Sequence, residues 1–218
     1  MMGQPFDQLL KSIPVAQSVF DALVHGSGRY RPYMELVRAV EHESLFDIRD
    51  AAEAEERWGG IDVVLVVAGT HEEIRAWELT DAKARALLET NLHGVIGTVA
   101  AIVPAMLAQG HGTIGIVSSV AGYGGLPKAL VYGASKAALI NFAETLYLDL
   151  APRGLGVALI NPGFVRTPLT DRNAFPMPYL ISADEAAAEL VAGLERGDFE
   201  IHFPRAFSRR LKLLRLLR

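Results

Sequence analysis

The sequence predicts an α/β fold with a doubly wound parallel sheet, helices on both faces and shortened first strand–helix units. Two observations lead to this prediction. From Glu43 onward, short apolar runs alternate with longer stretches of helical periodicity, which is typical of parallel strands joined by helices. The run Asp62–Val67 is almost continuously apolar, as expected for a strand that is buried on both faces.

Strands and helices alternate along this part of the chain. The predicted strands are Ser44–Ile48, Ile61–Ala68, Gly112–Ser118, Gly156–Ile160 and Phe199–Phe203. The predicted helices are Ala51–Trp58, Asp81–Gln109, Tyr132–Ala151 and Ala183–Arg196. Thr80 and Ser182 precede two of these helices and are predicted N-caps. Gly110 and Gly154 lie where helices are expected to end.

The N-terminal part, residues 1–45, is irregular in pattern. Val19–His25 is a candidate strand and Met34–Val40 a candidate helix, with a short turn at Gly26-Ser27-Gly28 after the strand. At 218 residues, the chain has the length of one domain. We therefore treat residues 1–218 as a single domain with an irregular beginning.

Composition excludes several classes of protein. The chain has no cysteine, which excludes disulfides, a thiolate nucleophile and cysteine-ligated zinc. Its net charge of −4 argues against a general nucleic-acid binder, which would carry a basic excess. The longest apolar run, Ile61–Ala68, is far shorter than the ~20 residues of a membrane span. With no signal-peptide pattern in view, we expect a soluble cytoplasmic protein.

The sharpest chemical motif is Tyr132-Gly-Ala-Ser135-Lys136 at the start of a predicted helix. Residues four apart share one helical face, so Lys136 should lie beside Tyr132. A free phenol has a pKa near 10, and a nearby ammonium favours the phenolate. The pair therefore indicates a tyrosine that serves as a general acid or base, although a chance pairing on one helix is the alternative.

Three further positions accompany this pair. Ser119 closes a predicted strand, and Asn161-Pro162-Gly163 follows another. Both lie at carboxyl ends of strands, where open α/β sheets bind ligands. Asn91 lies inside a long predicted helix, where asparagine is mildly unfavourable, so we expect it to have a local role.

Taken in order, these motifs resemble the short-chain dehydrogenase/reductase family, with a match from Asp47 to about Pro168 and a weaker one to Phe203. The resemblance implies a Rossmann-like fold and an NAD(P)-dependent oxidoreductase that interconverts a carbonyl and an alcohol by hydride transfer. It also implies a small-molecule substrate and a homodimer or tetramer. The sequence does not distinguish NAD from NADP.

The resemblance implies four catalytic roles. Tyr132 would be the acid/base, and Lys136 would lower its pKa and bind the nicotinamide ribose. Ser119 would orient and polarise the substrate oxygen. Asn91 would support a water chain that links Lys136 to solvent.

The resemblance also implies a set of cofactor contacts. The proposed cofactor-binding residues are Asp47, Ala68, Gly69, Asn91, Tyr132, Lys136, Pro162, Val165 and Thr167. The Pro162 loop would contact the nicotinamide, with Val165 and Thr167 at its carboxamide. Asp47 would lie beside the adenine, whereas Ala68 and Gly69 match the end of the family's Asn-Asn-Ala-Gly segment.

Two departures from the family pattern concern the cofactor. Val66 and Val67 stand where the family usually has asparagines, and the glycine-rich phosphate turn is missing. The best candidate for that turn, His25–Pro32, is either a degenerate phosphate turn or an ordinary turn. Only 21 positions separate Gly26 from Asp47, where two helices and two strands need roughly 40 residues. A non-catalytic member that lost cofactor binding and acts in binding or assembly is therefore the alternative.

The six histidines include no pair at metal-ligand spacing, so we interpret them as structural or surface residues and predict no metal site. The apolar segment Phe175–Leu180 falls where the family has a substrate lid, and we expect it to shape an apolar substrate pocket. The long helix Asp81–Gln109 and the helix after Tyr132 carry small and apolar residues on more than one face. This pattern indicates either a helix-pairing interface between subunits or ordinary core packing.

The C-terminal segment, residues 205–218, is basic and leucine-rich. It carries six arginine or lysine residues and no acid, and its spacing predicts an amphipathic helix. Such a helix either makes peripheral contact with an anionic membrane or a partner, or packs one face on the domain and leaves the other in solvent.

Overall fold

A computed structural model describes residues 60–167, 170 and 175–216 of the chain. Its strands are β1 (Val63–Val66), β2 (Thr113–Val117), β3 (Gly156–Pro162) and β4 (Glu200–Phe203). Its main helices are α1 (Asp81–Gln109), α2 (Leu130–Leu150), α3 (Ala183–Arg196) and α4 (Arg205–Leu216). The predictions for residues 1–45, strand Ser44–Ile48 and helix Ala51–Trp58 lie outside the described residues.

The four strands form one parallel sheet in the order β1-β2-β3-β4. In the described part of the chain, a helix connects each strand to the next. The predicted alternation is thus confirmed, with β1 two residues shorter at each end than expected and β3 two residues longer at its carboxyl end. Because all strands are parallel, their carboxyl ends lie along one edge of the sheet.

Helices cover both faces of the sheet. On one face, α1 and α2 pack their apolar side chains against alternate residues of β1, β2 and β3. On the other face, α3 packs Leu190, Val191 and Leu194 against the remaining strand residues. Two apolar layers on either side of one sheet make the doubly wound α/β architecture that the sequence predicts.

The predicted helix boundaries hold where local hydrogen bonding sets them. Ser182 caps α3 in a capping box with Glu185, and Thr80 caps α1 by accepting from the Lys83 N–H. Gly110 follows α1 with a φ of 78°, and Gly154 ends the short turn after α2 with a φ of 86°. Both are left-handed conformations that glycine adopts without steric cost.

Helix α1 contains a π-helical turn over Glu89–His93, which widens the helix by one residue at Asn91. By length and composition this helix is apolar enough to cross a membrane. This finding corrects the expectation that no apolar segment of the chain is long enough for a membrane span. Val95, Ile102 and Met106 of α1 are nevertheless fully buried against the sheet. One face of α1 is thus core of the folded domain.

Helix α4 confirms the predicted C-terminal helix over residues 205–216. Its inward face is fixed by the fully buried Ser208, which shares a 2.7 Å hydrogen bond with His202 of β4. Phe207 stacks between Phe164 and Tyr179. The helix is therefore docked on β4 and on the loop that follows β3.

Candidate active site

The candidate site lies at the carboxyl edge of the sheet. Ser118 and Ser119 follow β2, Ala68 and Gly69 follow β1, and Gly163 follows β3. The first turns of α2 run past this edge. This topology brings together the segments that carry most of the residues predicted from the sequence.

Lys136 is anchored beneath Tyr132 at the start of α2. Only 3% of the lysine surface is exposed, and its Nζ donates a 2.9 Å hydrogen bond to the carbonyl of Val117 at the end of β2. The Nζ lies 5.9 Å from the centroid of the Tyr132 ring. The spacing of four residues does place the two side chains on one helical face, as predicted.

Burial governs the ionisation of both side chains. It lowers the pKa of Lys136 to about 8, because the ammonium lies away from water. Although Tyr132 as a residue is only half-buried, burial also raises the pKa of its hydroxyl, and a hydrogen bond with Ser119 offsets part of that increase.

The structure therefore does not reproduce the predicted lowering of the Tyr132 pKa by Lys136. The physical reason is that the lysine is itself desolvated, so its charged form is disfavoured near pH 8. One of its N–H groups is also bound to Val117 rather than to the phenol.

Ser119 connects the strand end to both sides of the site. Its Oγ caps the short helix Val120–Gly122 by accepting a 3.1 Å hydrogen bond from the Ala121 N–H. The same hydroxyl donates a long, 3.5 Å hydrogen bond to the Pro162 carbonyl. Because hydrogen bonding by Ser119 also acts to lower the pKa of Tyr132, the hydroxyl lies beside the phenol. The predicted neighbourhood of Ser119 and Tyr132 is thus present.

Asn91 has the local role that its position in a helix suggests. It is fully buried in the π-helical turn of α1. Its side chain accepts from the Thr70 N–H at 2.7 Å and donates to the Thr70 carbonyl at 2.8 Å. A weaker contact of 3.4 Å reaches Ser135. Asn91 thus holds the loop after β1 against α2.

The loop after β1 leaves open space beside Lys136. A Cβ added at Gly69 would lie 3.4 Å from Lys136 Nζ and 3.7 Å from Asn91 Oδ1, and would fill that space. The ammonium has three donors, one of which is used by Val117. An amine with free donors beside a bare glycine fits the paired hydroxyls of a ribose, so these residues fit the nicotinamide end of the implied cofactor.

The remaining expectations about the cofactor concern the two departing valines, the loop after β3 and Asp47. Val66 and Val67, in place of the family's asparagines, pack into the two apolar layers. Val165 is buried in the α3 layer, and its carbonyl accepts a 2.6 Å hydrogen bond from the Thr170 hydroxyl. The Thr167 N–H and hydroxyl both contact Thr170. Asp47 lies outside the described residues.

His71 is a neighbour of Tyr132 that the sequence did not indicate. Its ring meets the Tyr132 ring edge to face, with centroids 4.8 Å apart and planes at 89°. Burial lowers the pKa of His71, and the nearby Glu73 acts in the opposite sense. A neutral imidazole is therefore expected at pH 7, packed against the phenol ring.

Aromatic side chains border the site on the side of the Pro162 loop. Phe175, in the predicted lid segment, contacts Phe164 with ring centroids 5.9 Å apart. Lys128 lies over the Phe175 ring and pairs with Glu73 at 2.6 Å. The lid segment and the loop after β1 therefore meet at Lys128, on the rim of the site.

Among the described residues, no group of three or more His, Cys, Asp or Glu side chains is arranged to hold a metal ion. The side chains that the described site brings together carry hydroxyl, phenol, amine and amide groups.

Comparison with known proteins gives consistent matches. Residues 38–175 match the family described as short chain dehydrogenase. A Myxococcus xanthus protein named an uncharacterized oxidoreductase is 40% identical over 146 residues, which cover 67% of this chain and 58% of that protein. A Mycobacterium tuberculosis protein named an uncharacterized NAD-dependent oxidoreductase is 38% identical over 172 residues, or 70% of this chain and 62% of that one.

A solved structure agrees with these sequence matches. A short chain dehydrogenase from Burkholderia cenocepacia in complex with NADP superposes with a TM-score of 0.67 at 28% identity, covering 79% of this chain and 71% of that one. The chain spans about 60% of the length of the curated relatives it matches.

Proposed function

The chain belongs to the short-chain dehydrogenase family, and we propose that it is an NAD(P)-dependent oxidoreductase that interconverts a carbonyl group and an alcohol. The observation that carries the proposal is the convergence of Tyr132, Ser119 and Lys136 at one edge of the sheet. These residues come from two different elements and share hydrogen bonds and ring contacts. A chance pair of Tyr and Lys on one helix would not bring Ser119 to the phenol.

In the proposed reaction, Ser119 donates a hydrogen bond to the substrate oxygen and orients it toward the Tyr132 hydroxyl. A nicotinamide cofactor, when bound, supplies or accepts the hydride at the substrate carbon. Tyr132 gives its proton to the substrate oxygen in reduction and takes it back in oxidation. Lys136 holds the ribose hydroxyls with the donors that Val117 leaves free, and Asn91 supports a water path toward it.

The raised pKa of Tyr132 has a direct consequence for the direction of proton transfer. Burial keeps the phenol protonated at neutral pH, which suits an acid better than a base. We therefore expect reduction to be favoured near pH 7 and oxidation to increase as the pH rises toward the Tyr132 pKa.

The proposal includes either NAD or NADP as the cofactor, since similar proteins are named for or contain each of them. The Mycobacterium tuberculosis relative is named NAD-dependent, whereas the Burkholderia cenocepacia structure holds NADP. For the substrate, the aromatic border at Phe164 and Phe175 favours an apolar carbonyl compound.

The proposal is tested by following NADH and NADPH oxidation at 340 nm with a panel of apolar ketones and aldehydes. Turnover with either cofactor supports it, whereas absence of turnover across the panel contradicts it. Calorimetric titration with NAD(H) and NADP(H) distinguishes this proposal from the alternative, a non-catalytic family member that has lost cofactor binding. That alternative is favoured by the valines at positions 66 and 67, and micromolar cofactor binding would contradict it.

We also propose that the protein forms a homodimer or tetramer through α1 and α2. Support comes from small residues on solvent-exposed positions of both helices, Ala100 and Ala137. Small side chains allow two helices to approach closely. Light scattering after size exclusion should give a dimer or tetramer mass, and Ala137→Glu should shift it to the monomer.

A surface role for α4 is a further proposal. Leu213 and Leu214 are 59% and 56% exposed, beside the exposed Arg205 and Arg209. A helix with leucines and arginines on its open side fits peripheral contact with an anionic membrane. The double variant Leu213→Ser/Leu214→Ser should lose sedimentation with phosphatidylglycerol vesicles. Leu79→Ser, at an exposed leucine elsewhere, should keep it; equal sedimentation of all three proteins would contradict the proposal.

A further inference from the structure

Glu200, the first residue of β4, accepts hydrogen bonds from three separate elements. Its Oε1 accepts from the Tyr123 hydroxyl at 2.7 Å and from Asn161 Nδ2 at 2.9 Å. Its Oε2 accepts from Lys212 Nζ of α4 at 2.5 Å. One carboxylate thus joins the turn after β2, the end of β3 and the C-terminal helix.

This cluster is charged, and its uncharged members are buried while Glu200 and Lys212 are partly buried. Tyr123 is 6% exposed and Asn161 fully buried, while Lys212 also lies 5.2 Å from the Tyr123 ring centroid. Burial by itself would raise the pKa of Glu200, but the hydrogen bonds from Lys212, Tyr123 and Asn161 together hold it below its usual range. The carboxylate is therefore ionised at neutral pH and available to all three donors.

Two of the donors are adjacent to the catalytic segments. Tyr123 ends the short helix that Ser119 begins, and its N–H donates to the Val120 carbonyl. Asn161 immediately precedes Pro162, whose carbonyl faces the Ser119 hydroxyl at 3.5 Å. Glu200 is thus connected to Ser119 by two routes, one along each flanking loop.

The Asn161 amide depends on Glu200 for its orientation. Its Oδ1 has no hydrogen-bond partner among the described residues although it is buried, so the bond from its Nδ2 to Glu200 is its side-chain anchor there. Without that acceptor, the buried amide would lose the 2.9 Å hydrogen bond of its Nδ2, which costs free energy and favours a shift of the strand end.

We propose that Glu200 is a positioning residue for catalysis, which sets the place of Ser119 and of the Pro162 loop relative to Tyr132. Its observed hydrogen bonds are all to protein side chains, and the bond from Lys212 makes α4 part of the same cluster. This inference rests on the proposed oxidoreductase function for its kinetic consequences. Its structural consequence, the ordering of the two loops, does not depend on that function.

The kinetic test compares substitutions at Glu200 with one at a neighbouring acid. Glu200→Leu removes the acceptor and should lower kcat about thirtyfold, since misplacing a catalytic group by ~1 Å costs up to ~10²-fold. Glu200→Gln keeps one acceptor oxygen and should lower kcat only about threefold. Asp198→Asn, which alters a surface pair with Arg196, should leave kcat unchanged.

A double-mutant cycle with Ser119→Ala identifies the route of the effect. If Glu200 acts through Ser119, Glu200→Leu should cost less than about threefold in kcat once the serine hydroxyl is absent. A full thirtyfold loss in the Ser119→Ala background would overturn the proposal, because Glu200 would then act elsewhere.

Hydrogen exchange provides a readout that needs no turnover. Glu200→Leu should raise exchange at the amides of Gly122, Tyr123 and Gly163, which lie in the two loops, while the α3 amides keep their wild-type protection. Should Glu200→Leu not fold, Glu200→Gln and Lys212→Met should show smaller increases at the same amides. Unchanged exchange there in every variant would overturn the inference. If turnover is absent but exchange at these amides increases, the proposed function is contradicted and the inference about Glu200 is supported.

Discussion

The two sides of the candidate site are held in place very differently. On the α2 side, Lys136 is hydrogen-bonded to a strand end, Ser119 contacts the Pro162 carbonyl and the Ala121 N–H, and the Ser119 hydroxyl acts to lower the pKa of Tyr132. On the β1 side, Gly69 and Thr70 are exposed, and the Asn91 side chain holds this part of the loop by two hydrogen bonds to the Thr70 backbone.

This difference separates two requirements of the proposed chemistry. Proton transfer needs groups held within a few tenths of an ångström, and the α2 side provides redundant contacts for that. Ligand entry needs an opening, and the β1 side provides exposed backbone beside a buried amine. Each of the following changes tests one side, or the contact between them, and the expected effects decrease from the first to the last.

The largest effect is expected on the α2 side, from Tyr132→Phe. Removing the hydroxyl leaves the ring but no proton to transfer, so kcat should fall about 10³-fold, within the range of general acid–base catalysis. Cofactor affinity in calorimetry should change less than about threefold. Tyr147→Phe, at an exposed tyrosine on the same helix, is the matched control and should retain full turnover. If the Tyr132 variant kept a tenth or more of the activity, another group would have to be the acid.

The β1 side should respond to Asn91→Leu, a change that keeps side-chain size. Both hydrogen bonds to Thr70 are lost, which should lower the free energy of unfolding by about 2–3 kcal/mol. Cofactor affinity should fall as the Gly69 loop loosens. Urea denaturation measures the first effect and calorimetry the second. The exposed Asn141→Leu should change neither quantity, and an Asn91 variant as stable as wild type would show that the clamp is dispensable.

The fold and the candidate catalytic residues of the α2 side were predictable because their determinants are local. Alternating apolar and helical segments predict the strands, and the spacing of four residues brings Tyr132 and Lys136 to one helical face. The capping box of Ser182 and Glu185 likewise depends on residues only three positions apart. Asn91 was detectable because asparagine is out of place in a helix, although the π-helical turn around it was not.

The remaining features depend on contacts between distant parts of the chain. Tyr123 and Glu200 are 77 residues apart, and nothing near either residue indicates the other. The contact of His71 with Tyr132 likewise requires the loop after β1 to meet α2. The pKa of Lys136 depends on how completely the surrounding elements exclude water, which sequence spacing does not report.

An intermediate effect is expected for the free energy of unfolding, which should depend on pH through the ionisation of Lys136. Its pKa is about 8 in the folded protein, against 10.5 for a lysine side chain in water, so the unfolded chain binds more protons between these values. The stability of wild type relative to Lys136→Met should therefore rise as the pH increases from 8 toward 10.5, by roughly 1–3 kcal/mol in total. Below pH 8 the difference should stay constant.

Urea denaturation at several pH values between 7 and 10 measures this difference, because the ionisation of other groups cancels between the two proteins. Lys83→Met is the matched control. The pKa of Lys83 is raised above its ordinary value of 10.5 by its hydrogen bond and charge interaction with Glu72. Its stabilising contribution is therefore lost only above pH 10.5, and the wild-type minus Lys83→Met difference should stay flat over this range. A flat wild-type minus Lys136→Met difference would mean that the amine is better solvated than its burial implies.

The smallest effect is expected where the two sides touch, at the ring contact of His71 with Tyr132. An edge-to-face aromatic pair contributes about 0.5–1.5 kcal/mol, so His71→Ala should lower kcat about fivefold by letting the phenol move. His71→Phe keeps a ring at 4.8 Å and should stay within about twofold of wild type at pH 7, where burial keeps the imidazole neutral. His111→Ala, at an exposed histidine, should have no effect. If His71→Phe lost as much activity as His71→Ala, the imidazole nitrogens rather than the ring contact would be what Tyr132 requires.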